Sequence, residues 1–131
     1  MHMLSGDYRP AAASHQQALR LLREAGEPHG QAQVLNSLGE LASRTSATGQ
    51  ARDHHRQALA IARQIGAPLQ EARALAGFGF SHLHDASPGQ ATAHLQQAFA
   101  IYQRIGSPGA QRVRETLRRY GLPLTPTQST H

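Results

Sequence analysis

Apolar residues recur along this chain at helical spacing, and the stripes they form are separated by breaks that themselves repeat. Ala58, Leu59, Ile61, Ala62 and Ile65 mark one stripe, and Ala98, Phe99, Ile101, Tyr102 and Ile105 mark another. Both have the spacing of an amphipathic helix that buries one face. Between the stripes stand Gly26-Glu27-Pro28, Gly66-Ala67-Pro68 and Gly106-Ser107-Pro108, forty residues apart. Glycine supplies a left-handed helix stop, and proline two residues later fits the first turn of the next helix, where its missing N–H costs nothing. A second set of breaks, Thr48-Gly49-Gln50 and Pro88-Gly89-Gln90, is also forty apart and divides each unit into two helices. The pattern predicts six helices, over 8–25, 29–44, 50–65, 69–85, 90–105 and 109–120, with a frayed tail over 122–131.

The segments before the glycines align without a gap: His15-Gln16-Gln17-Ala18-Leu19, His55-Arg56-Gln57-Ala58-Leu59 and Leu95-Gln96-Gln97-Ala98-Phe99. A fixed period of this size predicts a solenoid, in which each unit buries its apolar face by stacking on the next. The expected fold is all-α, with one domain over 6–121. Two antiparallel helices approach closely where side chains are small, so Gly39 is expected at a helix crossing, with Ala51 and Ala58 seating the next layer.

Leu35, Leu38-Gly39 and Ala42, followed by Ala51, His55 and Ala58, resemble the helix pair of the tetratricopeptide repeat family. Leu75, Phe78-Gly79 and His82, then Ala91, Leu95 and Ala98, repeat the pattern, and Gly6-Asp7-Tyr8, Ala11, His15 and Ala18 resemble a second helix without its own first helix. The family's usual unit is shorter than forty residues, the extra length lying between Ala58 and Leu75, and His15, His55 and His82 stand where it usually has an aromatic ring. The resemblance implies a right-handed superhelix of helical hairpins that binds a protein or peptide. Long, lysine-free repeats of this kind also resemble the C-terminal arrays of actinobacterial antibiotic-regulatory transcription factors, where the array senses or docks. Neither a DNA-binding nor a nucleotide-binding domain is recognisable here, so those activities are not carried over.

Composition narrows the function classes. Cysteine is absent, which removes disulfides and thiolate metal sites, and no apolar run is long enough to span a bilayer. The opening Met1-His2-Met3-Leu4-Ser5 lacks the apolar stretch of a signal peptide, so a soluble cytoplasmic protein without a membrane role is expected. The net charge of +5 comes from 13 arginines with no lysine.

If the first helix of each unit lines an inner wall, Gln33, Asn36, Glu40 and Ser43 fall on it, then Arg73, Ala76, Phe80 and His84, then Thr116 and Tyr120. The expected partner-binding set is Gln33, Asn36, Glu40, Arg73, Phe80, His84 and Tyr120: Asn36 holding a peptide backbone, Arg73 a carboxylate, Phe80 and Tyr120 an apolar side chain. No cofactor or metal is expected. His54-His55 and His82-Leu83-His84 have the wrong spacing for a helical metal pair, although His54 and His94 occupy matching positions and could approach each other. Ser81, His82 and Asp85 carry the letters of a hydrolase triad, but one helix cannot align them, and no nucleophile elbow or phosphate loop occurs, so no enzyme is expected.

Arg112, Arg114, Arg118 and Arg119 surround Val113, Leu117 and Tyr120 on the last helix. They would serve either an alternative function, nucleic-acid binding through phosphates, or a polar end cap, and the intervening Glu115 favours the cap. At the other end, Leu19, Leu22 and Ala11-Ala12-Ala13 lack a preceding helix, which suggests a homodimer through the first helix or continuation into further repeats.

Overall fold

The computed structural model describes residues 8–126. Gly6 and Asp7 of the expected repeat and residues 127–131 of the expected tail lie outside the described residues. Six helices follow one another: α1 (Arg9–Glu24), α2 (Pro28–Arg44), α3 (Thr48–Ile65), α4 (Pro68–His84), α5 (Pro88–Arg104) and α6 (Gly109–Arg119). Each packs against the next, and α2 also touches α4, as an all-α array of tetratricopeptide type requires.

The turns reveal a regularity finer than forty residues. Gly26, Ser46, Gly66, Ala86 and Gly106 all adopt positive φ, between 58° and 69°, at intervals of twenty residues. After each, one backbone N–H returns to a carbonyl five residues earlier: Glu27 to Leu22 (2.9 Å), Ala47 to Ala42 (2.9 Å), Ala67 to Ala62 (2.9 Å), Ser87 to His82 (2.7 Å) and Ser107 to Tyr102 (2.9 Å). This is the Schellman closure, which satisfies carbonyls the helix leaves open. The second set of breaks is therefore corrected: the left-handed residues are Ser46 and Ala86, while Gly49 and Gly89 lie in the first turns of α3 and α5. Pro28 and Pro68 open their helices as expected, whereas Pro108 is the N-cap of α6.

Leu19, Leu35, Leu38, Ala58 and Ala74 form one apolar cluster, and Ala72, Leu75, Leu95, Phe99, Tyr102, Val113 and Leu117 belong to a second. Leu59 packs against both and makes the core continuous along the array. Small residues permit the close crossings. A Cβ on Gly79 would fall 2.4 Å from Leu95 Cγ, and one on Gly109 would fall 2.6 Å from the Tyr102 ring. Leu122 and Leu124, expected in the frayed tail, are half-buried against the second cluster, and Gln96 donates to the Pro123 carbonyl (3.0 Å). On α1 Leu19 is buried and Leu22 lies over Gly30, so of its leucines only Leu21 faces outward.

Candidate functional site

Two adjoining hollows sharing Phe80 and Arg112 form a groove walled by α2, α4 and α6. The first, about 200 Å³, includes Glu40, Arg44, Arg73 and Phe80, and has His55 of α3 and Tyr102 of α5 at its floor. The second, about 410 Å³, continues between α4 and α6 past His84, Thr116, Arg119 and Tyr120. Helical periodicity explains the lining. Arg73, Phe80 and His84 recur on one side of α4, and Arg112 and Thr116 stand four apart on α6 with Tyr120, its C-cap, four residues further on.

Glu40, Arg73, Phe80, His84 and Tyr120 are thus brought together. Gln33 is exposed but does not line either hollow, and Asn36 is fully buried. The expected role of Asn36 is corrected by its hydrogen bonds: Nδ2 donates to the Gln70 carbonyl and to Gln70 Oε1, both at 3.0 Å, and Oδ1 accepts from His55 Nδ1 at 2.8 Å. An amide whose donors and acceptor are spent inside the core cannot also hold a ligand's backbone.

Arg73 likewise has an internal carboxylate. Its Nη2 donates to Glu40 Oε1 at 2.9 Å, its Nε to Glu40 Oε2 at 3.3 Å, and its Nη1 to Gln70 Oε1 at 3.0 Å. The two-pronged ion pair joins α4 to α2 and leads through Gln70 and Asn36 to His55. Burial pushes the His55 imidazole down to about 4, with Glu40 working against the shift and Arg73 with it. It is therefore neutral at ordinary pH, its Nδ1–H donated to Asn36, and Nε2 has no partner because the ring edge lies between Gly39 and Gly77. Burial also raises the Tyr102 phenol.

Sequence reasoning did not include Tyr102 or Arg112 in the groove. The Arg112 guanidinium stands 4.5 Å from the Phe80 ring centroid, a cation–π contact that covers the groove's central aromatic. Its position four residues before Thr116 was the available signal, since both share one helix face. The four arginines of α6 do not form one basic face: Arg112 and Arg119 line the groove, while Arg114 sits 5.4 Å from the Phe99 ring and shares a different hollow with Arg118.

The letters of a triad have structural partners. Arg52 donates to the buried Ser81 hydroxyl and to Asp85 Oδ2, both at 2.6 Å, and Thr48 donates to Asp85 at 3.2 Å. Arg52 and Thr48 thereby hold the Asp85 carboxyl below its ordinary range. His82 stacks on His94 at 5.4 Å between centroids, and His94 stacks on Phe78 at 5.3 Å. The expected approach of His54 to His94 is therefore replaced by this outer-face stack, while His54 lines a hollow beside α1. No group of three or more potential metal-binding side chains occurs among the described residues, and no described helix is long and apolar enough to cross a membrane.

The family model described as tetratricopeptide repeat matches residues 1–64. That match, and the succession of helix pairs beyond it, support a tetratricopeptide-repeat family for the chain. Repeats of this family generally mediate protein–protein interaction and are non-catalytic modules. The comparison with curated proteins returns no match.

Proposed function

We propose that the groove walled by α2, α4 and α6 binds an acidic, apolar-anchored segment of a partner protein. The observation that carries this reading is the run of Tyr102, Phe80 and Tyr120 along one groove whose charged lining is Arg44, Arg73, Arg112 and Arg119 against Glu40 and Glu115. Aromatic rings offer large contact area at low entropic cost, and the excess of guanidinium groups favours carboxylates flanking the anchor. The Glu40–Arg73 pair fixes the groove's width rather than waiting for a ligand. In this reading the module is the docking part of a bacterial transcriptional regulator, as the resemblance to antibiotic-regulatory arrays suggests, and no catalytic step is assigned to it.

A photo-crosslinking side chain at Tyr120, which is 55% exposed, tests the groove against the same group at Gln103 on the exposed side of α5. The expected result is a discrete adduct from position 120 that is absent from position 103 and lost on Phe80→Ala. Equal adducts from both positions, or one indifferent to Phe80→Ala, would refute the groove.

A further inference from the structure

The two units treat the same furrow differently. In the second unit the furrow between α3 and α5 is filled from within: Phe78, His94 and His82 stack on one another, and Arg52 of α3 binds Ser81 and Asp85 at the C-terminal end of α4. Forty residues earlier the corresponding positions are Leu38, His54 and Ala42 for the stack, and Ala12, Leu41 and Thr45 for the closure. Of the three stacked rings only the histidine is kept, the ionic latch is missing, and a hollow of about 360 Å³ lies there between α1, α2 and α3, with Tyr8 also in its lining. It continues past His54 into a second hollow of about 500 Å³. His54 lines both, and its Nδ1 is buried without a hydrogen-bond partner. Arg20 and Arg23 of α1 border the continuation against one carboxylate, Glu24.

We propose that this furrow is a second binding site, on a different face from the groove, which takes an aromatic side chain of a partner protein flanked by acidic residues. The second unit shows the chemistry that fits: a ring laid on the histidine, as His82 lies on His94, over the position held by Ala42. Leu38, Leu41 and Ala42 supply the apolar bed, and His54 supplies a flat ring face. Aromatic stacking favours such an anchor, and the Arg20–Arg23 border favours carboxylates beside it. The site is independent of the groove reading.

The chain contains no tryptophan, so a tryptophan probe can be followed without background. The probe is a capped pentapeptide with a central tryptophan between two pairs of acidic residues. Its emission should shift to the blue saturably, and amide signals of Gln16, Gln50 and His54 should move with it. Two independent closures copy the second unit: Leu38→Phe with Ala42→His restores the stack, and Ala12→Arg with Thr45→Asp restores the latch at one half-buried and one exposed position. Each should weaken probe binding by about tenfold or more while helical circular dichroism is kept. No emission shift at millimolar probe, binding that survives both closures, loss on Phe80→Ala instead, or equal competition by a probe with alanine at the centre would overturn the proposal. A concentration-dependent dimer abolished by the closures would assign the furrow to a second copy of this chain and overturn the partner assignment.

Discussion

Adding one methyl group at Gly77 sets the crossing of α3 and α4 against ordinary helix propensity. A Cβ there would lie 2.3 Å from His55 Nε2 and 2.4 Å from Cδ2, well inside contact distance. The ring cannot retreat, because a Cβ position on Gly39 is already 2.5 Å from Nε2 on the other side and Nδ1 is tied to Asn36. Overpacking of a core costs about 1–3 kcal/mol, and replacing glycine by alanine inside a helix returns up to about 1 kcal/mol. Gly77→Ala should therefore destabilise by about 1–2 kcal/mol, a fall in Tm of roughly 3–10 °C for a domain of this length. Gly49→Ala and Gly89→Ala are the controls: nothing stands within 4 Å of an added Cβ at either, so both should stabilise by up to about 1 kcal/mol. Thermal and urea unfolding followed by circular dichroism measures all three. In a His55→Ala background the penalty of Gly77→Ala should disappear, since the clashing ring is gone. A Gly77→Ala protein as stable as the two controls would show that the crossing is not set by this contact.

Acid should weaken the fold through His55. With its folded value near 4 against an ordinary 6.5, the unfolded chain takes up the proton first, so stability is full above about pH 7 and is lost progressively between about pH 6.5 and 4. The loss is about 3 kcal/mol from this group. His54 and His82, also shifted downward, act in the same direction. Urea midpoints from pH 7.5 to 4 should fall less steeply for His55→Gln, and an unchanged slope would assign the acid sensitivity elsewhere. Ser46→Gly and Ala86→Gly remove left-handed strain at non-glycine residues and should each raise stability by up to about 1 kcal/mol, whereas Gly66→Ala should lower it by about as much; equal Tm values for all three would contradict the backbone account. Arg52→Ala leaves the buried Ser81 hydroxyl without its donor and should cost about 1–2 kcal/mol, with part of the loss salt-dependent because Asp85 is partly exposed. Indifference of Arg52→Ala to both temperature and salt would remove the latch from the energetics.

The helices were legible because periodicity and glycine signals agree: Gly26, Gly66 and Gly106 mark their turns openly. Ser46 and Ala86 do the same work without a compositional mark, since neither serine nor alanine favours the positive φ found there. The groove was legible as a helix face, and Glu40, Arg73, Phe80, His84 and Tyr120 follow from spacing alone. Asn36 was misplaced because a helical wheel gives direction but not depth: it points toward the next layer, where α4 buries it under Gln70. Tyr102 comes from the second helix of its unit and reaches the floor between two first helices, a geometry that depends on how closely Gly109 lets α6 approach. The difference between the two furrows was written in the aligned residues, but its meaning required the stack of Phe78, His94 and His82 to be seen in three dimensions.

The seat of His55 joins glycines contributed on both sides of a unit boundary, Gly39 from one helix pair and Gly77 from the following one. Neither pair by itself encloses the imidazole, so severing the chain after Ile65 would open a wet notch in the remaining half and leave Asn36 facing water. Thermodynamically the repeats are thus not beads on a string: melting should pass through the boundary without pausing, and a half-length version should fall short of half the stability of the whole.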